Sequence, residues 1–156
     1  MAVSTKVYAT ATMEAFGGTT VGESPNIDWL SDDIYIALVK STYMPDQSAD
    51  KFWSSVVGDE VANGNGYATN GKLLIGKTLT VAALVATFVA ANPAAWTASG
   101  AGFAAAYAVL YDRTPATDAT RPLICYIDFD GTRTLAAGDT LTITFNASGI
   151  FTVTVA

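Results

Sequence analysis

In this chain apolar residues recur at every second position in short runs, and Gly, Asn, Asp or Pro closes each run. A period of two sends alternate side chains to opposite faces of a strand, whereas a helix needs a period of about 3.6. The pattern predicts an all-β, mainly antiparallel fold: one β-sandwich or jelly-roll-like domain with one or two short helices. At 156 residues the chain can bury a core without disulfides or metals. We divide it into an N-terminal strand or arm, residues 1–22, and a sandwich domain, residues 23–156.

Asp33-Ile34-Tyr35-Ile36-Ala37-Leu38-Val39 reads as a strand whose near-continuous apolar run implies burial on both faces. Leu79 to Ala90 and Phe103 to Tyr111 each read as a single strand, with Val and aromatic residues outweighing the helix preference of the alanines. Leu123 to Phe129 alternates and runs into Asp130-Gly131, a type I′ hairpin turn candidate. Thr140 to Phe145 and Ile150 to Val155 read as a half-buried antiparallel pair whose outer face is threonine. Ser24-Pro25 suggests the start of a helical turn over 26–31. Asp46 is placed to cap a short helix over 47–56, with Ala49, Phe52, Trp53 and Val56 on one side. Gly66, Gly71 and Gly131 are the candidate turn glycines, where positive φ would make alanine costly. Tyr35, Leu38, Tyr107, Val109, Ile127, Ile143 and Val153 are the core candidates.

Charge narrows function. Only 14% of residues are charged and histidine is absent, against about 25% charged in a typical soluble domain. Without histidine the Ser-His-Asp and Cys-His reaction classes are excluded. A net charge of −6 with eight Lys plus Arg gives no drive toward a phosphate backbone, so no nucleic-acid partner is expected. Cys125 stands alone and reads as a small buried hydrophobe. The first residues lack a basic stretch followed by a continuous apolar one, so no signal peptide is expected. Leu79 to Trp96 is interrupted by Thr80, Thr87, Asn92 and Pro93, so it reads as buried strand and no membrane partner is expected.

The acidic groups read as structure. Asp28, Asp32 and Asp33 suit turn and cap chemistry before a strand. Asp128-Phe129-Asp130-Gly131 opens like a calcium loop but lacks the downstream ligands. Asp59-Glu60 reads as a solvated loop edge. Gly64-Asn65-Gly66 lacks the strand-then-helix context of a dinucleotide site and reads as a turn. Asn146-Ala147-Ser148 matches a glycosylation sequon without a secretory signal to support it. Trp29, Tyr67 and Trp96 are the candidate partner-contact or sugar-stacking aromatics. We assign no catalytic, metal-binding or cofactor-binding residue, and expect no cofactor.

The order Ile34-Tyr35-Ile36-Ala37-Leu38, Tyr43-Met44-Pro45-Asp46, Asp59-Glu60-Val61, Gly64-Asn65-Gly66-Tyr67 and Asn70-Gly71-Lys72-Leu73 resembles small virion structural proteins of tailed bacteriophages. Tyr111-Asp112, Pro122-Leu123-Ile124, Ile127-Asp128-Phe129, Gly138-Asp139 and Gly149-Ile150-Phe151 extend the resemblance over about Ile34 to Phe151. It implies a β-rich assembly protein of the virion, made in the host cytoplasm and not an enzyme. The expected role is capsid decoration or cementing, with the major capsid protein or other virion proteins as partners and a homo-oligomeric state. The alternative is a neck, tail or head-fibre component, including a glycan-binding adhesin module.

Overall fold

A computed structural model describes residues 4–9, 11–12 and 27–154. The Ser24-Pro25 signal and most of the expected arm lie outside the described residues. Among the described residues strand makes up 42% and no helix reaches seven residues, so the fold is all-β and mostly antiparallel.

The strands are β1 (Ser4–Val7), β2 (Ile34–Val39), β3 (Lys72–Leu73), β4 (Thr78–Ala82), β5 (Val85–Val89), β6 (Trp96–Thr97), β7 (Phe103–Asp112), β8 (Leu123–Leu135), β9 (Thr140–Leu141) and β10 (Phe151–Thr154). Five of them form the central antiparallel sheet in the order β1-β8-β7-β2-β3. Two smaller sheets, β10-β5-β4 and β6-β9, complete the fold.

The central sheet is buried on both faces, as the apolar run in β2 requires. Ile34, Ile36 and Leu38 share one core with Leu110, Ile124, Ile127 and the tryptophans Trp29 and Trp96. Ala37 and Val39 belong to a second core with Tyr8, Tyr43, Trp53, Val109 and Tyr111. Alternation along β2 therefore distributes its side chains between two cores rather than between core and water. Trp53 lies flat on Tyr111, with ring centroids 4.1 Å apart. Bonds from the Trp53 amide to the Arg121 carbonyl (2.8 Å) and from the Leu123 amide to the Lys51 carbonyl (2.9 Å) tie down the segment over this face.

Several local expectations change. Leu79 to Ala90 is a hairpin, β4 with β5, turning at Ala83 and Leu84, whose φ angles of 46° and 65° are those of a type I′ turn. No Gly or Asn marks that turn, and its alternation continues unbroken from strand to strand. Asp130-Gly131 is a bulge, not a hairpin turn. β8 continues past it, and the register against β7 jumps from Tyr107–Asp128 to Ala105–Arg133. Asp46 does cap, accepting the Ser48 and Ala49 amides at 2.9 and 3.0 Å, but the chain makes only a turn and then a 3-10 turn at Trp53–Ser55. Thr140–Leu141 and Phe151–Thr154 do not pair with each other: β9 pairs with β6 and β10 with β5. The N-terminal strand is no free arm, since Ser4–Val7 pairs with β8 from Asp128 to Cys125. Among the core candidates, Leu38, Val109, Ile127 and Ile143 are buried, whereas Tyr35, Tyr107 and Val153 are partly exposed.

Candidate interaction surfaces and buried polar sites

The three candidate stacking aromatics are inside. Trp29, Tyr67 and Trp96 all belong to the first core, and none is more than 4% exposed. The Trp29 indole N–H donates to the carbonyls of Thr78 (3.1 Å) and Val89 (3.2 Å), so the residue pins the three-stranded sheet to the core. Trp96 carries the Lys72 ammonium 4.7 Å from its ring centroid, and that ammonium donates to the Ala94 and Ala95 carbonyls. Tyr67 closes the Asn-Gly turn by exchanging backbone bonds with Gly64.

Around Tyr67 lies a polar network that sequence reasoning misplaced. Glu60 is buried, not solvated. Its Oε1 accepts the Tyr67 hydroxyl at 2.7 Å and the Asn70 amide at 2.6 Å, while the Tyr67 oxygen accepts the Leu38 amide. Burial pushes the Glu60 carboxyl up, against the pull of those two donors. The network fixes the glycine-rich loop to β2. Gly71 makes that approach possible, and Gly66 allows a like approach to β6. Gly66 and Gly71 sit at φ 93° and 73°, and a Cβ on either would meet the Thr97 or Ile36 carbonyl oxygen at 1.9 or 2.0 Å. Gly131, at φ 113°, has open space around it.

A second buried carboxyl lies at the end of β7. Asp112 is 1% exposed. One oxygen accepts the Thr114 amide at 2.8 Å, and Oδ2 has no donor. Burial, reinforced by the neighbouring Asp32 carboxylate, pushes Asp112 up to about 6. The Ser31 hydroxyl, and then the Ser31 and Leu30 amides that Asp28 accepts, hold its carboxyl low instead. Among the described residues no group of three or more acidic or thiol side chains is arranged to hold a metal ion. On the second face Tyr8 and Tyr43 share a 2.8 Å hydroxyl bond, and Tyr43 donates to Asp50 at 2.7 Å.

Several depressions open on the surface. One is a groove of about 740 Å³ lined mainly by residues 141–152, with Thr5 of β1 beside it and Phe151 and Thr152 of β10 within it. Thr5, Ile127, Phe129, Phe145 and Thr152 line it, and Arg133 is its single charged side chain. Another, of about 250 Å³, holds Met44, Tyr107, Tyr126 and Asp128. Neither Glu60 nor Asp112 reaches either depression. No spacing in the sequence distinguishes these two carboxyls from surface ones, because their burial comes from strands far away in the chain. Among the described residues, no helix is long and apolar enough to cross a membrane.

Comparison with protein-family models, with curated proteins and with solved structures found no match to this chain.

Proposed function

We propose that this chain is a non-enzymatic virion structural protein of a tailed phage, a decoration or cement protein that docks on the major capsid protein. The observation that carries the reading is the groove of about 740 Å³ that meets the edge strands β1 and β10. It is lined mostly by threonine, aliphatic and aromatic side chains, with Asn146 and Ser148, and only Arg133 is charged. Those strand edges suit an extended segment of another protein, which would add backbone bonds while filling the groove with side chains. The stiffness of the module suits a mechanical role. Loops clasped to strands at Gly66 and Gly71 and a sheet packed on both faces leave little that yields under load. The resemblance in residue order supplies the capsid as the partner.

The test is electron cryo-microscopy of particles that carry this chain. Ordered density on the capsid lattice is expected, and Thr142→Arg, an exposed change at the groove, should reduce occupancy without altering the fold. Density confined to the tail, or full occupancy by the variant, would refute the capsid reading. A second reading, a tail or head-fibre module that binds glycans, draws on the depression where Tyr107 and Tyr126 lie beside Asp128. An aromatic face next to a carboxylate is chemistry that suits a sugar ring, and Tyr107→Ala should then abolish binding in a glycan screen.

A further inference from the structure

Among the described residues, the hairpin β4–β5 leaves one edge of the three-stranded sheet open. β4 is the terminal strand in the order β10-β5-β4, and all five of its residues are exposed. Edge strands in monomeric proteins are usually guarded by Lys, Pro, a bulge or brevity. Here the guards stand elsewhere. β1 has Lys6, β3 is two residues long and begins with Lys72, and β10 is partly buried beside the groove. From Thr78 to Val89 the hairpin has no charge at all. Val81 is 74% exposed, the Leu84 tip 68%, and Ile75 at the base of the hairpin 65%. The open edge of an apolar strand calls for another strand, because its outward N–H and C=O groups need partners and its side chains need cover.

The register says which strand. Ala82 faces Val85 across a two-residue turn, so Ala82, Thr80 and Thr78 direct their backbone groups toward β5. Leu79 and Val81 direct theirs outward. We propose that two copies of this chain associate through their β4 edges, antiparallel, about a two-fold axis at Thr80. Leu79 of each chain then exchanges backbone bonds with Val81 of the second copy, and Thr80 lies opposite its own copy in a non-hydrogen-bonded pair. The arrangement is self-complementary, as a two-fold interface must be. It sets the Leu84 tip of each hairpin toward the Ile75 end of the other, covering both exposed apolar ends at once. No charge lies in the pairing strands to oppose it. The two small sheets become one of six strands, β10-β5-β4 followed by its symmetry copy. This interface is separate from the groove and does not depend on the virion reading.

One strand edge buries less than the about 1,600 Å² of a standard interface, so an affinity around micromolar is expected rather than nanomolar. Sedimentation of the full chain across concentrations bracketing about 1 μM to 1 mM should show a monomer–dimer equilibrium. Val81→Lys should weaken it at least about tenfold, since a charge at that position must be buried or expelled. Thr80→Cys should cross-link spontaneously on oxidation, because non-hydrogen-bonded pairs bring Cα atoms to about 4.5 Å. Thr78→Cys should not, because in this register its opposite is Ala82. Cys125 is buried and does not compete. The two cysteine variants are read in an otherwise native hairpin, so they decide the matter even if Val81→Lys disturbs folding. A monomer at every concentration, a trimer or larger ring, or a dimer indifferent to Val81→Lys overturns the proposal. Cross-linking of the Thr78→Cys variant but not of the Thr80→Cys variant overturns the axis at Thr80.

Discussion

Replacing Asp112 with asparagine should make the protein more stable at neutral pH and flatten its response to acid. Asp112 is buried at the junction of β7 with the turn that follows, and one of its oxygens has no donor. The groups that face it are Asp32, the Thr114 amide and hydroxyl, and the backbone of Ile34 across the ladder. Its proton is held up to about 6, against an ordinary 3.8. Below pH 3.8 the group is protonated in both folded and unfolded chains, so the stabilising contribution of that proton is fully present. Between 3.8 and about 6 the folded state keeps a proton that the unfolded state has released. As pH rises through about 6 the folded state must release it too, and that contribution is lost. A tenfold difference in proton affinity between the folded and unfolded chain is worth about 1.4 kcal/mol, which sets a ceiling of about 3 kcal/mol. Solvent around Asp32 lowers that to about 1–2 kcal/mol, or roughly 2–8 °C in Tm for a chain of this size. Asparagine keeps the oxygen that accepts the Thr114 amide and turns the orphaned oxygen into a donor toward Asp32. The assay is thermal unfolding of both proteins from about pH 4 to 8 at constant ionic strength. Other carboxyls titrate in the same scan, Glu60 with the same sign and Asp28 and Asp46 with the opposite one. The difference between variant and native protein isolates Asp112. It should move toward the variant between about pH 4 and 6 and level off above that. A flat difference, or a variant less stable than the native protein at the alkaline end of the scan, would refute the reasoning.

Gly71→Ala and Gly66→Ala should each cost about 3 kcal/mol or more, because a methyl group at positive φ would also strike a carbonyl oxygen. Gly131→Ala meets only the conformational penalty, about 1 kcal/mol, and denaturant midpoints should separate the two cases. Trp53→Ala should cost about 3–5 kcal/mol and remove the near-ultraviolet signal of the Trp53–Tyr111 stack, with Trp53→Phe in between. Deleting Ala2 to Thr12 should lower stability by at least about 3 kcal/mol, since it removes β1 and the fully buried Tyr8; an unchanged melting curve would show that the strand is dispensable.

How much of this was legible in the chain depends on how far the causes lie from the residues. β2 and β7 could be located because burial on both faces writes an unbroken apolar run, a local signal. The Asn-Gly and Asn-X-Gly turns were legible because positive φ selects residue types on the spot. The Ala83-Leu84 turn carried no such mark, so a hairpin looked like one strand. Asp130-Gly131 carried the mark but served a bulge, because the register of β7 is set by a partner that the local residues do not reveal. Glu60 was read as a solvated group, and Asp112 drew no reading of its own, for the same reason. Their burial is decided by Tyr67, Asn70 and Pro122, which reach them only after the sheet has formed. The aromatics were ambiguous in principle: Trp29 and Trp96 have the same composition signal whether they face a core or a ligand.

The strand order of the central sheet also has a consequence for how the chain is made. Ser4 pairs with Asp128 and Ile34 with Asp112, so β1 and β2 leave a ribosome well before the strands they pair with. At synthesis rates of about 5–20 residues per second, β1 and β2 would wait roughly 4–25 s before β7 and β8 emerge. During that interval the apolar run Ile34–Val39 has no sheet to join. Nascent chains of this protein are therefore expected to need chaperone cover, and slowing translation should lower the yield of folded product rather than raise it.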